Sequence, residues 1–135
     1  MANAYKNNFL SVLLVFLSVS CISTSTDTYQ IEDASQKRVF TPFVMSPRST
    51  SYSMHIKGEI NGKAELHFLL PNHDFSKGPF CSDYHEKLDS GKVDKYLGGD
   101  YFGGFERSTI YYLPCTAKKG YLTIEVAFNK NLKNR

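Results

Sequence analysis

The stretch Ser51-Tyr-Ser-Met-His-Ile-Lys-Gly-Glu-Ile-Asn-Gly-Lys-Ala-Glu-Leu-His-Phe-Leu-Leu70 alternates apolar and polar side chains with a period of two. Tyr52, Met54 and Ile56 share one face of an extended chain, and Ala64, Leu66, Phe68 and Leu70 share one beyond Asn61-Gly62. Half-buried β-strands show this period because successive side chains leave opposite sides of the pleat. Asn-Gly between two such runs signals a hairpin. A two-residue loop would oppose Ile56 to His67 and Lys57 to Leu66, mixing the faces. A three-residue loop, Ile60 to Gly62 with a bulge at Gly62, instead opposes Tyr52 to Leu70, Met54 to Phe68 and Ile56 to Leu66. It also sets Lys57 against Glu65 and Glu59 against Lys63 on the other face. A bulged hairpin is therefore expected, with His55 opposite His67.

Working outward, Leu122, Ile124, Val126 and Phe128 alternate with Tyr121, Thr123 and Glu125, which predicts another strand over Tyr121 to Phe128. Ser108 to Leu113 reads as its hairpin partner through Pro114 to Gly120. Lys92 to Leu97 follows the Asp89-Ser90-Gly91 turn, and Arg38 to Met45 reads as a strand that Pro42 confines to an edge or a bulge. Tyr84 to Leu88 fits a short strand or one helical turn. The tail from Asn129 reads as loose. The expected fold is all-β, a small antiparallel β-sandwich or open barrel of five to six strands with one disulfide.

The chain has 135 residues, 16 Lys plus Arg against 13 Asp plus Glu, and three cysteines. That length accommodates one domain. A formal charge of +3 is too sparse for a nucleic-acid-binding field, so no nucleic-acid partner is expected.

Lys6 is the only charge before Asp27, and Phe9 to Val19 is apolar on every face. A spanning helix needs about 20 apolar residues, so this shorter run after a basic start has the parts of a secretory signal peptide, assigned to residues 1–20. Leu17-Ser18-Val19-Ser20-Cys21 resembles the lipobox of bacterial lipoproteins, with Ser18 where leucine is usual. The resemblance implies a lipid on Cys21 and a membrane-anchored envelope protein. Ile22, in place of a retention aspartate, implies the outer membrane. Cleavage by an ordinary signal peptidase near Ser20 or Ser23, giving a secreted or periplasmic protein, is the alternative. Residues 21–37, polar and without periodicity, read as a tether, leaving 38–135 as the β domain.

With Cys21 set aside, Cys81 and Cys115 form an even pair for an oxidising compartment. They lie 34 positions apart, so a bridge would remove loop entropy worth roughly 3.5–4 kcal/mol. No Cys-x-x-Cys spacing marks them as a redox pair.

Gly98-Gly-Asp-Tyr-Phe-Gly-Gly-Phe105 is the candidate ligand loop, since glycine admits close backbone approach and aromatic faces stack on flat groups. Its candidates are Tyr96, Asp100, Tyr101, Phe102, Phe105 and Tyr111. Neither a dinucleotide fingerprint nor a phosphate loop is present. No cofactor is expected. No metal site is expected either: His55 and His67 lack further ligands, and a bridged Cys81 cannot join His73, Asp74 and His85 as a thiolate. No catalytic residue is assigned, for there is no Gly-x-Ser-x-Gly elbow. The expected role is an envelope binding module for a protein or envelope component. A small hydrolase using His55, His67 or the His73–His85 region, or a purely structural envelope protein, are the alternatives.

Overall fold

The computed structural model describes residues 24–44, 49–69, 81, 86–102 and 108–134. Among the described residues, eight strands run in chain order: β1 (Ser25–Ile31), β2 (Arg38–Phe40), β3 (Ser51–Ile60), β4 (Ala64–Leu69), β5 (Glu86–Leu88), β6 (Gly91–Asp100), β7 (Thr109–Leu113) and β8 (Gly120–Phe128). A 3-10 turn, Leu132–Asn134, follows. The strands form two antiparallel four-stranded sheets, ordered β1-β8-β3-β6 and β2-β7-β4-β5. The sandwich class is as the alternation implied, with eight strands instead of five or six.

The topology has a simple generator. β1 pairs with β8, β2 with β7, β3 with β6 and β4 with β5, as in one long ribbon doubled back between β4 and β5. Rolling that ribbon brings β3 against β8 and β4 against β7. The result is a double-sheet jelly roll.

Each of the pairs β1/β2, β3/β4, β5/β6 and β7/β8 crosses from one sheet to the other. The expected hairpins at Asn61-Gly62 and at Pro114 to Gly120 are therefore arches. Met54 and Ile56 do point inward with Ala64 and Leu66, but across the core. Tyr52 stacks on Phe68 with ring centroids 4.0 Å apart. On the outer face, Lys57 lies beside Asp94 and Glu59 beside Lys92, so β6 supplies the charge pairing expected from β4. Tyr52 has Gly99 as its β6 neighbour, and its expected mate Leu70 lies outside the described residues.

The four arches share one end of the sandwich, which we term distal. Two of them are cross-linked: Asn61 Oδ1 accepts the amides of Lys118 and Lys119 at 2.9 and 2.8 Å. Thr116 and Ala117 amides bond to the Lys63 carbonyl. Gly62 is required here, because a Cβ would stand 2.4 Å from the Thr116 carbonyl oxygen. Cys81 is joined to Cys115 in the β7–β8 arch with Cα atoms 5.8 Å apart.

Two expectations for the ends are corrected. The 21–37 segment is not a tether throughout, since β1 occupies Ser25–Ile31 and pairs along its length with β8. Ile31 and Ala34 are fully buried, and Tyr29 stacks on Phe40 at 4.7 Å. The tail is not loose either: Leu132 is buried, and Ser53 Oγ accepts its amide while donating to the Lys130 carbonyl. β2 stops at Phe40, at the sheet edge that Pro42 implied.

Candidate functional site

The register of the β1-containing sheet places Glu125, His55 and Tyr96 in one row across its outer face. His55 is nearly buried there because the Tyr96 ring lies flat on it, with centroids 3.8 Å apart and planes 16° from parallel. His55 Nε2 bonds Asp94 Oδ1 at 2.7 Å. That hydrogen bond holds the Asp94 carboxyl below the usual carboxylate range, with the charges of Lys57 and Lys92 adding to it. Tyr96 is thus pinned on one face and open on the other, 41% exposed.

Beside it the strand continues as Gly98-Gly99, and the 129–133 segment rises opposite. Together with Ser51, Tyr52 and Ser53 they line a groove of about 510 Å³ whose wall includes Asn129, Lys130, Asn131 and Lys133. At Gly99 a Cβ would come within 3.2 Å of the Tyr52 ring, so a larger residue would require that ring to give way by a few tenths of an ångström. The groove offers a flat aromatic platform, a side-chain-free shelf, two ammonium groups, and the amides of Asn129 and Asn131, whose oxygens already accept the Thr50 and Lys133 backbone amides. Such a set suits a hydroxylated or anionic ring compound better than an apolar one.

The expected loop cluster is only partly assembled. Tyr101 is fully buried, edge-on to Phe128 at 4.9 Å, with its amide bonded to the Thr50 carbonyl. It is core. Asp100 closes β6 at the surface, and Phe102 beyond it is 81% exposed. Tyr111 belongs to the other sheet, half-buried under the Lys37 ammonium at 5.4 Å, so it cannot share a ligand with Tyr96. Phe105 and Cys21 lie outside the described residues, as do His73 and His85. The groove-lining residues Asn129 to Lys133 were missed, since their polar run read as a tail; the lone apolar Leu132 was the available signal.

His55 and His67 do not face each other, because β3 and β4 belong to different sheets. His67 is buried on the opposite outer face, its Nε2 bonded to Glu65 Oε2 at 3.1 Å. Among the described residues, one group of metal-ligating side chains converges, Glu65 with Cys81 and Cys115. The disulfide occupies both of its sulfurs, which cannot then act as thiolates.

No family model matches the chain. No curated protein matches it either. Among solved structures, the chain is similar to one from a study titled "Bacillus endospore appendages form a novel family of disulfide-linked pili", with TM-score 0.45, 9% identity, and 81% of this chain and 88% of that one covered. It is similar to Tobacco streak virus coat protein, with TM-score 0.42, 9% identity and coverage of 83% and 90%. Similarity to PirA has TM-score 0.42, 14% identity and coverage of 78% and 96%.

Proposed function

We propose that the chain is an exported lipoprotein of the cell envelope, anchored through Cys21, whose jelly roll binds a saccharide-like ligand in the groove beside Tyr96. The observation that carries the binding reading is Tyr96 itself, an aromatic ring backed by His55 and left open at the mouth of a polar groove. The His55 ring, itself held by Asp94, fixes the orientation of Tyr96 beside the groove. Export and anchoring rest on the apolar run Phe9 to Val19 and on the lipobox-like residues ending at Cys21. The Cys81–Cys115 bridge is consistent with an oxidising compartment.

A hydrolase that joins His55 to His67 is not supported, since the two sit on opposite outer faces, and the His73–His85 region lies outside the described residues. The test is titration of the mature protein with soluble N-acetylhexosamine and uronic-acid oligosaccharides. Tyr96→Ala is expected to weaken binding by on the order of tenfold or more, the loss of one stacking platform of about 1.5 kcal/mol. Binding that is absent throughout, or untouched by Tyr96→Ala and by Asn131→Ala, rejects the groove as the site.

A further inference from the structure

Among the described residues, the two ends of the sandwich differ in chemistry. At the distal end the described arches expose Asp33, Gln36, Lys37, Asn61, Lys63, Asp89, Ser90, Lys118 and Lys119, all polar. The opposite, proximal end is where β1 begins, and Ser25 there stands in one row with Phe128, Tyr52 and Gly99. Both exposed phenylalanines among the described residues lie at that end. Phe102 follows the last residue of β6 and is 81% exposed. Phe43 is 58% exposed three residues past β2, its amide bonded to Asp27 Oδ2 at 2.7 Å. Lys130 and Lys133 are exposed at the same end. Of the described acids near them, Asp100 is exposed, while Asp27 is half-buried and already accepts the Phe43 amide and the Tyr29 hydroxyl.

Chain length now fixes orientation. Since β1 starts at Ser25, the link from Cys21 has a reach of at most about 14 Å. Resting on the anchoring through Cys21 proposed above, we infer that the proximal end is a membrane-docking face: Phe102 and Phe43 enter the interfacial region of a phospholipid bilayer while Lys130 and Lys133 meet anionic headgroups. A link of this length keeps that end within about 14 Å of the anchored cysteine, so its two exposed phenylalanines stand within reach of the interfacial region. Amphipathic anchoring by apolar wedges and basic residues is the same physics that seats interfacial helices. The distal end, one strand length away, then projects about 30 Å from the membrane.

The chain contains no tryptophan, which makes the test direct. Phe102→Trp and Phe43→Trp are each made in the lipidated protein and reconstituted into phosphatidylglycerol-containing vesicles carrying a bilayer-located quencher. Tyr121→Trp, at the margin of the distal end, is the control. The two proximal reporters are expected to show blue-shifted emission and loss of intensity with the quencher, and the control neither. Proximal reporters that emit as the control does, in protein whose mass shows lipid on Cys21, overturn the docking face and leave the anchor standing. Protein whose mass shows no lipid sinks the anchor; the same reporters are then read on mature chain added to vesicles. Quenching there upholds the face, with Lys130→Gln and Lys133→Gln each expected to weaken it about fivefold, and its absence rejects the face.

Discussion

At the scale of single residues, Tyr112 shows how one polar atom is carried inside an apolar core. Its ring is fully buried in the β7 row, and its hydroxyl donates to the Ala34 carbonyl at 2.8 Å. Burial, and after it the charge of Asp33, pushes its pKa up to about 12. A folded-state pKa above the unfolded value of about 10 contributes stability that is whole below pH 10 and is lost as pH rises through the folded value. Alkaline unfolding is therefore expected to steepen between those two values. Tyr112→Phe should remove much of that limb, because the group no longer ionises. At neutral pH the same change leaves the Ala34 carbonyl without its partner, at about 1–3 kcal/mol. Urea unfolding followed against pH measures both effects in one series. An alkaline limb identical in the variant would assign it to another group, such as Tyr29, whose pKa burial and Asp27 also raise to about 12.

At the scale of elements, alternation located strands but left their partners open. Met54, Ile56, Ala64, Leu66 and Phe68 face the same core whether β3 and β4 lie side by side or on opposite sheets, so burial pattern does not discriminate. Charge was equally degenerate: Asp94 and Lys92 on β6 meet Lys57 and Glu59 as well as Glu65 and Lys63 would have done. What separates hairpin from arch is the cross-linking of Asn61 to a second arch more than fifty residues away, and no local pattern encodes that. The candidate site was legible to the same extent. Tyr96, Gly98 and Gly99 were visible as an unusual composition, whereas the opposite wall was hidden because Leu132 is its sole buried anchor in a polar run. Asn61→Ala tests the arch directly. Losing two amide bonds at an exposed turn should cost about 1–2 kcal/mol, whereas Asn61→Gly in an isolated hairpin turn would be close to neutral. A variant with unchanged denaturation midpoint would mean that the arches are held by the disulfide and the Lys63 carbonyl alone.

At the scale of the whole molecule, the rolled ribbon makes the first strand as necessary as the last. β1 is an edge, yet it covers β8, seats Ile31 and Ala34 in the core, and accepts the Phe43 amide on Asp27. Its sequence hid this because only Tyr29 and Ile31 among its seven residues are large and apolar. Burying Ile31 alone is worth about 1.5–3 kcal/mol, and its removal also strips the full β8 ladder of its outer partner. Against a typical total of about 5–15 kcal/mol, that loss should leave no stable fold. A chain beginning at Arg38 is accordingly expected to lack a cooperative melt and to show near-random far-ultraviolet dichroism. One beginning at Thr24, which keeps all of β1 and its ladder with β8, should retain a cooperative melt. The comparison fixes the domain boundary by measurement. Cooperative unfolding of the Arg38 chain at the full-length temperature would show that β1 decorates the sandwich without completing it, and the short link from Cys21 would then regain the length of the whole polar segment.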